Sequence, residues 1–206
     1  MTKKQRAKII LDELEKLYPE VPIPLDHKDA YTLMVAVALS AQTTDKKVNQ
    51  ITPKLFAAAD TPGKMAKLSF EEIRELIKEI GLTNSKAKNL KKMAEVLVEK
   101  HNSVVPQTYE ELEELAGVGH KTASVVMSQA FGFPAFPVDT HIHRLMTQWK
   151  LTDGKNVVQT EKDAKSIFPE ETWNKLHLQI IFYGREFSPA RGNQDKDFLT
   201  KMLFEK

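Results

Sequence analysis

Apolar residues recur along this chain at intervals of three and four, the spacing that lines one side of an α-helix. From Lys4 to Tyr18 the amphipathic stripe runs through Ile9, Ile10, Glu13, Leu14 and Leu17. Pro19, Pro22 and Pro24 break it, because a proline ring removes a backbone donor and clashes with the preceding turn. Ala30 to Ala41 is apolar nearly all round and is expected in the core. Asp45 to Phe56 is a further helical run, with Pro53 able to kink or divide it. Ser69 and Glu72 form a capping box ahead of Ile73, Leu76, Ile77 and Ile80, and Gly81 is a stop signal. Asn84 or Ser85 is expected to cap the next helix, whose inner face reads Ala87, Leu90, Ala94, Leu97 and Val98. Thr108 and Glu111 repeat the capping box before Leu112 and Leu115.

Leu115 to Ala130 reads as a short helix end, a Gly-Val-Gly turn and a helix from about Lys121. Pro134 and Pro137 mark a linker, and Asp139 to Lys150 is another helix. Thr160 is expected to cap a run to Ile167. Trp173, Leu176, Ile180, Tyr183 and Phe187 again have helical spacing. No segment alternates with a strand's period, and there is no internal repeat. The predicted fold class is all-α, with lobe boundaries at Pro19–Pro24 and Pro134–Pro137.

Composition narrows this. The 206 residues suffice for one large domain or two small lobes, and 41% hydrophobic content supplies a core. The longest apolar run, Ala30 to Ala41, contains Thr32 and Ser40 and is far short of the roughly 18 residues of a membrane span. Lys3, Lys4 and Arg6 open the chain without a signal-peptide apolar region, so the expected compartment is the cytoplasm, on the nucleoid if the cell is bacterial. There is no cysteine, which excludes disulfides, thiol nucleophiles and cysteine-held zinc or iron–sulfur sites. Net charge is only +2, but Lys86, Lys88, Lys91 and Lys92 cluster, as do Glu110, Glu111, Glu113 and Glu114. Such asymmetry suits a protein that presents one face to phosphates, and a solvated helix face reads the same way.

The segment that carries chemistry is Leu115-Ala116-Gly117-Val118-Gly119-His120-Lys121-Thr122-Ala123. Two glycines straddling an apolar residue between helices make a tight hairpin. Bare backbone there approaches a phosphate closely, and the amides of Gly117, Gly119 and the next helix start favour an anion. This is a phosphate clamp that reads DNA backbone rather than sequence, though a plain turn packed through its glycines looks identical. Lys121 falls in the first turn after the hairpin, where the positive helix end and partial burial in a cleft would both disfavour the ammonium form. A neutral amine can attack a sugar C1′ and form a Schiff base. Downstream, Asp139 of Pro137-Val138-Asp139-Thr140-His141 can cap a helix and still present a carboxylate at its mouth. His141 and His143 are two apart and point to different helix faces, so no metal site is expected.

Together these residues resemble the endonuclease III branch of the helix–hairpin–helix DNA glycosylases, whose signature is L-x-G-V-G-x-K-T-A followed by V-D-T-H. Leu39-Ser40-Ala41-Gln42-Thr43-Thr44-Asp45 matches that family's LSAQ-x-T-D segment, and Ile80-Gly81-Leu82-Thr83-Asn84-Ser85-Lys86-Ala87 resembles its IGL-x-N-SKA segment. The resemblance runs from about residue 3 to about residue 192. It implies a two-lobed fold: a six-helix barrel lobe over residues 22–133, and a second lobe from residues 1–21 and 134–206. It implies Lys121 as the nucleophile and Asp139 as its helper. Gln42 would fill the gap left by a flipped nucleotide, and Leu82 would wedge the opposite strand, although alone Gln42 reads equally as a helix-end polar group and Leu82 as a core leucine. Further DNA contacts are expected from Lys86, Lys88, Lys91, Gly117, Val118, Gly119, His120, Thr122 and Arg191. Ser40, Asp45, Glu113 and His141 match positions near the base pocket.

One departure is plain. The family's four-cysteine loop for a [4Fe–4S] cluster aligns here with Ser188, Asp195, Phe198 and Phe204, so no cofactor is expected. The tail from Asn193 carries Phe198, Leu199, Met202 and Leu203 at helical spacing and is expected to dock where the cluster would sit. The resemblance thus implies a monomeric glycosylase with AP-lyase activity, acting on oxidised pyrimidines or abasic sites in double-stranded DNA. The alternatives are an AP lyase with weak base excision and a non-catalytic DNA-binding module. Lys121 and Asp139 argue against the latter, and Lys121 argues against adenine excision.

Overall fold

The computed structural model describes residues 1–191 and 195–204, and all regular structure among them is helical. Twelve α-helices follow in order: α1 (Lys3–Leu17), α2 (Ala30–Ser40), α3 (Asp45–Ala58), α4 (Pro62–Lys67), α5 (Phe70–Leu76), α6 (Thr83–His101), α7 (Tyr109–Glu113), α8 (His120–Gln129), α9 (Thr140–Gln148), α10 (Val157–Ile167), α11 (Trp173–Glu186) and α12 (Phe198–Phe204). The chain divides into two compact units, Ile23–Gly132 and Met1–Pro22 with Phe133–Lys206.

In the unit Ile23–Gly132, α2 is the core helix. Leu33, Met34, Val35, Ala36 and Leu39 are fully buried, and α2 packs against α3, α6 and α8. Asp29 closes its N-terminus through a capping box with Thr32. α3 runs undivided through Pro53, giving up only the bond whose donor proline lacks. α4 is a helix that apolar period alone does not announce. Thr61 caps it and Pro62 takes the first helical position, where a missing amide costs nothing.

α6 departs from expectation twice. Neither Asn84 nor Ser85 caps it. Leu82 does so in the left-handed region (φ 59°, ψ 34°), with no side-chain cap. Val98 is exposed rather than inward, because Lys86, Leu90, Met93 and Leu97 form the buried stripe and one residue beyond Leu97 turns by about 100°.

The other unit gathers α1, α9, α10, α11 and α12 around Ile10, Leu14, Phe136, Ile142, Trp149, Leu176, Ile180 and Tyr183. α10 is capped by Asn156, whose side chain accepts from the Gln159 amide at 2.8 Å. Thr160, expected in that role, lies one turn inside the helix, fully buried, and donates to the Asn156 carbonyl (3.1 Å).

The tail docks through α12. Asn193, where that reading of the tail begins, lies outside the described residues. Leu199 is fully buried, Leu203 nearly so, and Phe198 sits edge-on to Tyr183 and Phe187. Met202, expected on the docked face, is exposed, since the buried side of so short a helix is taken by the i, i+4 pair Leu199 and Leu203.

Asp197 locks the start of α12. Its Oδ1 accepts from the Tyr183 hydroxyl (2.7 Å) and the Thr200 amide (3.0 Å). Its Oδ2 accepts from Gln148 (2.8 Å) and the Thr200 hydroxyl (2.9 Å). The Tyr183 hydroxyl in turn accepts from the Leu199 amide at 3.0 Å. Burial, then the bond to Asp197, push the Tyr183 hydroxyl well above its usual range, so it remains a neutral donor.

The four positions of the cluster loop do not fit iron. Ser188 is buried against the Arg144 guanidinium, Phe198 packs on aromatic rings, Asp195 is exposed, and Phe204 lies against Lys150 at 4.8 Å. No thiolate is among them.

Leu199→Ala should destabilise this unit by about 2–5 kcal/mol in chemical denaturation, the range for a fully buried leucine. Asp197→Ala should cost roughly 2–4 kcal/mol by stranding buried donors. Met202→Ala should stay within about 0.5 kcal/mol of the parent. Equal midpoints for all three proteins would mean that the tail is not docked.

Candidate active site

The hairpin joins α7 to α8. Thr108 caps α7, donating to Glu111 (2.7 Å) and accepting from its amide. The chain then turns tightly, Leu115 bonding back to Leu112 and Val118 to Leu115. Gly117 has φ +82°, and a Cβ there would come within 3.0 Å of Asn89 on α6, so this position requires glycine on two grounds. Gly119 differs. Its backbone is extended (φ −96°, ψ 177°), and an added Cβ would meet nothing within 4 Å. Nothing inside the protein demands glycine there, and its openness leaves the mouth of α8 accessible. α8 has no side-chain cap at its N-terminus, the positive end of the helix dipole.

Val118, expected to contact DNA, has a buried side chain and donates its amide to Leu115, so it anchors the hairpin. His120 is exposed, bonds Glu113 at 2.8 Å and stacks on Tyr109. Glu113, expected near a base pocket, is therefore an exposed partner of His120 on the hairpin. Lys121 stands exposed in the first turn of α8, without the partial burial expected of it, because the first-turn position projects beyond the hairpin. Thr122 beside it is half-buried.

Two turns of the same unit project residues in the left-handed region. Gln42 has φ 55° and is exposed. Leu82 has φ 59° and is 55% exposed, so it is not a core leucine. A leucine held in the left-handed region costs on the order of 1–2 kcal/mol. Ser40 and Asp45 flank the Gln42 turn, both half-buried, with the Ser40 hydroxyl donating to Val37 (2.8 Å).

The basic cluster divides. Lys88 and Lys92 are exposed. Lys86, expected at a phosphate, is 6% exposed, and its ammonium is spent on Leu39, Ala41 and Thr43. Burial pushes this amine below the usual lysine range. Position 86 falls on the stripe of Leu90, Met93 and Leu97, a period that reveals burial once charge is set aside. Lys91 is half-buried, donates to the Ala66 and Leu68 carbonyls at the end of α4 and pairs with Glu95. Neither ammonium is free for DNA as it stands.

The second unit holds the remaining candidates. Asp139 caps α9, its Oδ1 accepting from the Ile142 amide at 2.8 Å, and its charge acts on the Arg144 guanidinium. His141 in the same first turn is half-buried, and its Nδ1 is buried without a hydrogen bond. Arg191 is exposed. Among the described residues no cluster of histidine and acidic side chains could hold a metal ion.

Residues 35–170 match the model of the HhH-GPD superfamily base excision DNA repair protein. Endonuclease III of Haemophilus influenzae is 43% identical over 191 residues, 93% of this chain and 90% of that protein. A solved non-covalent endonuclease III–DNA complex superposes with a TM-score of 0.94 at 38% identity, over 98% of this chain and 95% of that one. A trapped endonuclease III–DNA covalent intermediate gives 0.90 at 39% identity, over 94% and 92%.

The two hairpin glycines should separate in experiment. Gly117→Ala should lower stability by about 1 kcal/mol or more, since alanine is strained at positive φ and meets Asn89. Gly119→Ala should melt like the parent yet bind duplex DNA more weakly, by placing a methyl group at the uncapped mouth of α8. Identical melting and binding in both variants would dissolve the distinction.

Proposed function

The chain belongs to the endonuclease III branch of the HhH-GPD superfamily of base excision DNA repair proteins, and on that premise we propose how its own residues carry out the repair. It is a DNA glycosylase with AP-lyase activity acting on damaged double-stranded DNA. No helix among the described residues is long and apolar enough to cross a membrane. Its place of action is the cytoplasm, on the cell's DNA, and its substrates are oxidised pyrimidines and abasic sites.

The observation that carries this reading is Lys121, an exposed amine in the first turn of a helix whose N-terminus carries no side-chain cap. The N-terminus of that helix, which no side chain caps, holds a phosphate of the damaged strand and so fixes the sugar relative to the amine. The Lys121 nitrogen attacks C1′, and the bond from C1′ to the base breaks with its electron pair leaving on the base. The amine loses a proton as the base gains one, and the sugar opens to a Schiff base. Loss of a C2′ proton then expels the 3′ phosphate and cuts the strand. Asp139 serves as the carboxylate that stabilises positive charge on the sugar and relays the proton. One of its oxygens is used by the cap, which fixes the carboxyl group. Gln42 and Leu82 occupy the gap and part the opposite strand, because a base must be extruded before any group reaches its sugar.

Borohydride should trap the protein on duplexes carrying thymine glycol or an abasic site, with the adduct at Lys121. Lys121→Gln should bind the same DNA but neither trap nor cut. Asp139→Asn should bind normally and lose base excision by about 10²–10⁴-fold. Full lyase activity in Lys121→Gln, with the adduct elsewhere, would remove Lys121 from the mechanism. Neutralising Lys88 or Arg191 should lower the slope of log affinity against log salt by about one each if they meet phosphates, and unchanged slopes would exclude both.

A further inference from the structure

One residue joins the Gln42 turn to the Leu82 turn, each of which holds its displayed residue in the left-handed region. Lys86 follows Leu82 by one helical turn, and its amide donates the opening bond of α6 to the Leu82 carbonyl at 3.0 Å. Its ammonium crosses to the end of α2. There it donates to the carbonyls of Leu39 (2.9 Å) and Ala41 (2.7 Å) and to the Thr43 hydroxyl (3.1 Å). Ala41 and Thr43 are the immediate neighbours of Gln42. All three ammonium protons are used, and no carboxylate accompanies them.

A charge buried among neutral oxygens is a costly way to close a helix end. The last turn of α2 has no basic residue of its own, so part of the return is electrostatic, a cation at the negative end of the helix. A capping role alone, however, requires no contact beyond Leu39. The bonds to Ala41 and Thr43 grip the turn on either side of the residue it displays.

We propose that Lys86 is a positioning residue for base extrusion: it ties the Gln42 turn to the Leu82 turn, so that both side chains enter a duplex as one preset pair. This rests on the glycosylase reading above. Gln42 cannot swing away without breaking bonds on both sides, and Leu82, exposed and left-handed, has little contact of its own to hold it. The pair is ordered before DNA arrives, so binding free energy is not spent on ordering it.

Lys86→Met keeps the length and the apolar stem and removes the donors. Three readouts separate the possibilities. The first is single-turnover excision of thymine glycol from a duplex. The second is fluorescence of 2-aminopurine placed opposite an abasic analogue, which rises as the stack opens. The third is borohydride trapping on a single-stranded abasic oligonucleotide, which needs no extrusion. In Lys86→Met, duplex excision should fall at least tenfold and most of the fluorescence rise should vanish, while single-stranded trapping stays within about twofold. Adding Gln42→Ala to Lys86→Met should cost much less than Gln42→Ala costs the parent, because the two act as one unit. Unchanged duplex excision and fluorescence would overturn the proposal, and so would a proportionate loss in all three assays. Should Lys86→Met fail to fold, Thr43→Val, which removes one acceptor, decides: about a threefold loss of duplex excision supports the proposal and parental behaviour overturns it. Should the parent itself never trap, the lyase reading fails, and the fluorescence comparison alone still decides the role of Lys86.

Discussion

Every helix ends in backbone groups that its own ladder cannot satisfy, and a protein built of helices depends on disposing of them. Here most N-termini are closed by a side chain one residue outside: Thr2, Asp29, Thr44, Thr61, Ser69, Thr108, Asp139 and Asn156. Asp197 does the same for α12. Only α6, α8 and α11 begin without such an acceptor. Two of these three are the helix behind Leu82 and the helix that carries Lys121. C-termini draw in cations instead, Lys86 at α2 and Lys91 at α4. Termini left open and termini closed from a distance thus shape the working surface of this chain.

That constraint also explains how far the sequence could be read. The all-α class follows from period, and the family follows from four short motifs in order. Gly117 is legible because its φ admits no other residue comfortably. What escaped depends on choices between equivalent candidates. Asn156 and Thr160 are both good caps, and only the position of the first extended residue decides between them. Asn84 and Ser85 were available to α6, yet the helix starts earlier, at a leucine that propensity would never select.

Charge misled in the same way. A run of lysines on one helix reads as a solvated or phosphate-facing stripe, but an α-helix distributes neighbours around its circumference. Lys86 and Lys91 turn toward backbone carbonyls while Lys88 and Lys92 turn outward. The sum of charges was legible, and its direction was not. Val98 and Met202 show the matching limit for apolar residues, since period places a stripe only to within about one residue at a helix end.

The closure of α12 by Asp197 and Tyr183 has a consequence for the cell that makes this protein. A fold fastened by a metal cluster matures only as fast as metal and an assembly machinery are delivered, and its holding thiolates are open to oxidation. Here the fastening is encoded entirely in the polypeptide, with no cysteine anywhere in it. Folding of this unit therefore waits on no cluster delivery, and no holding thiolate is there to be oxidised.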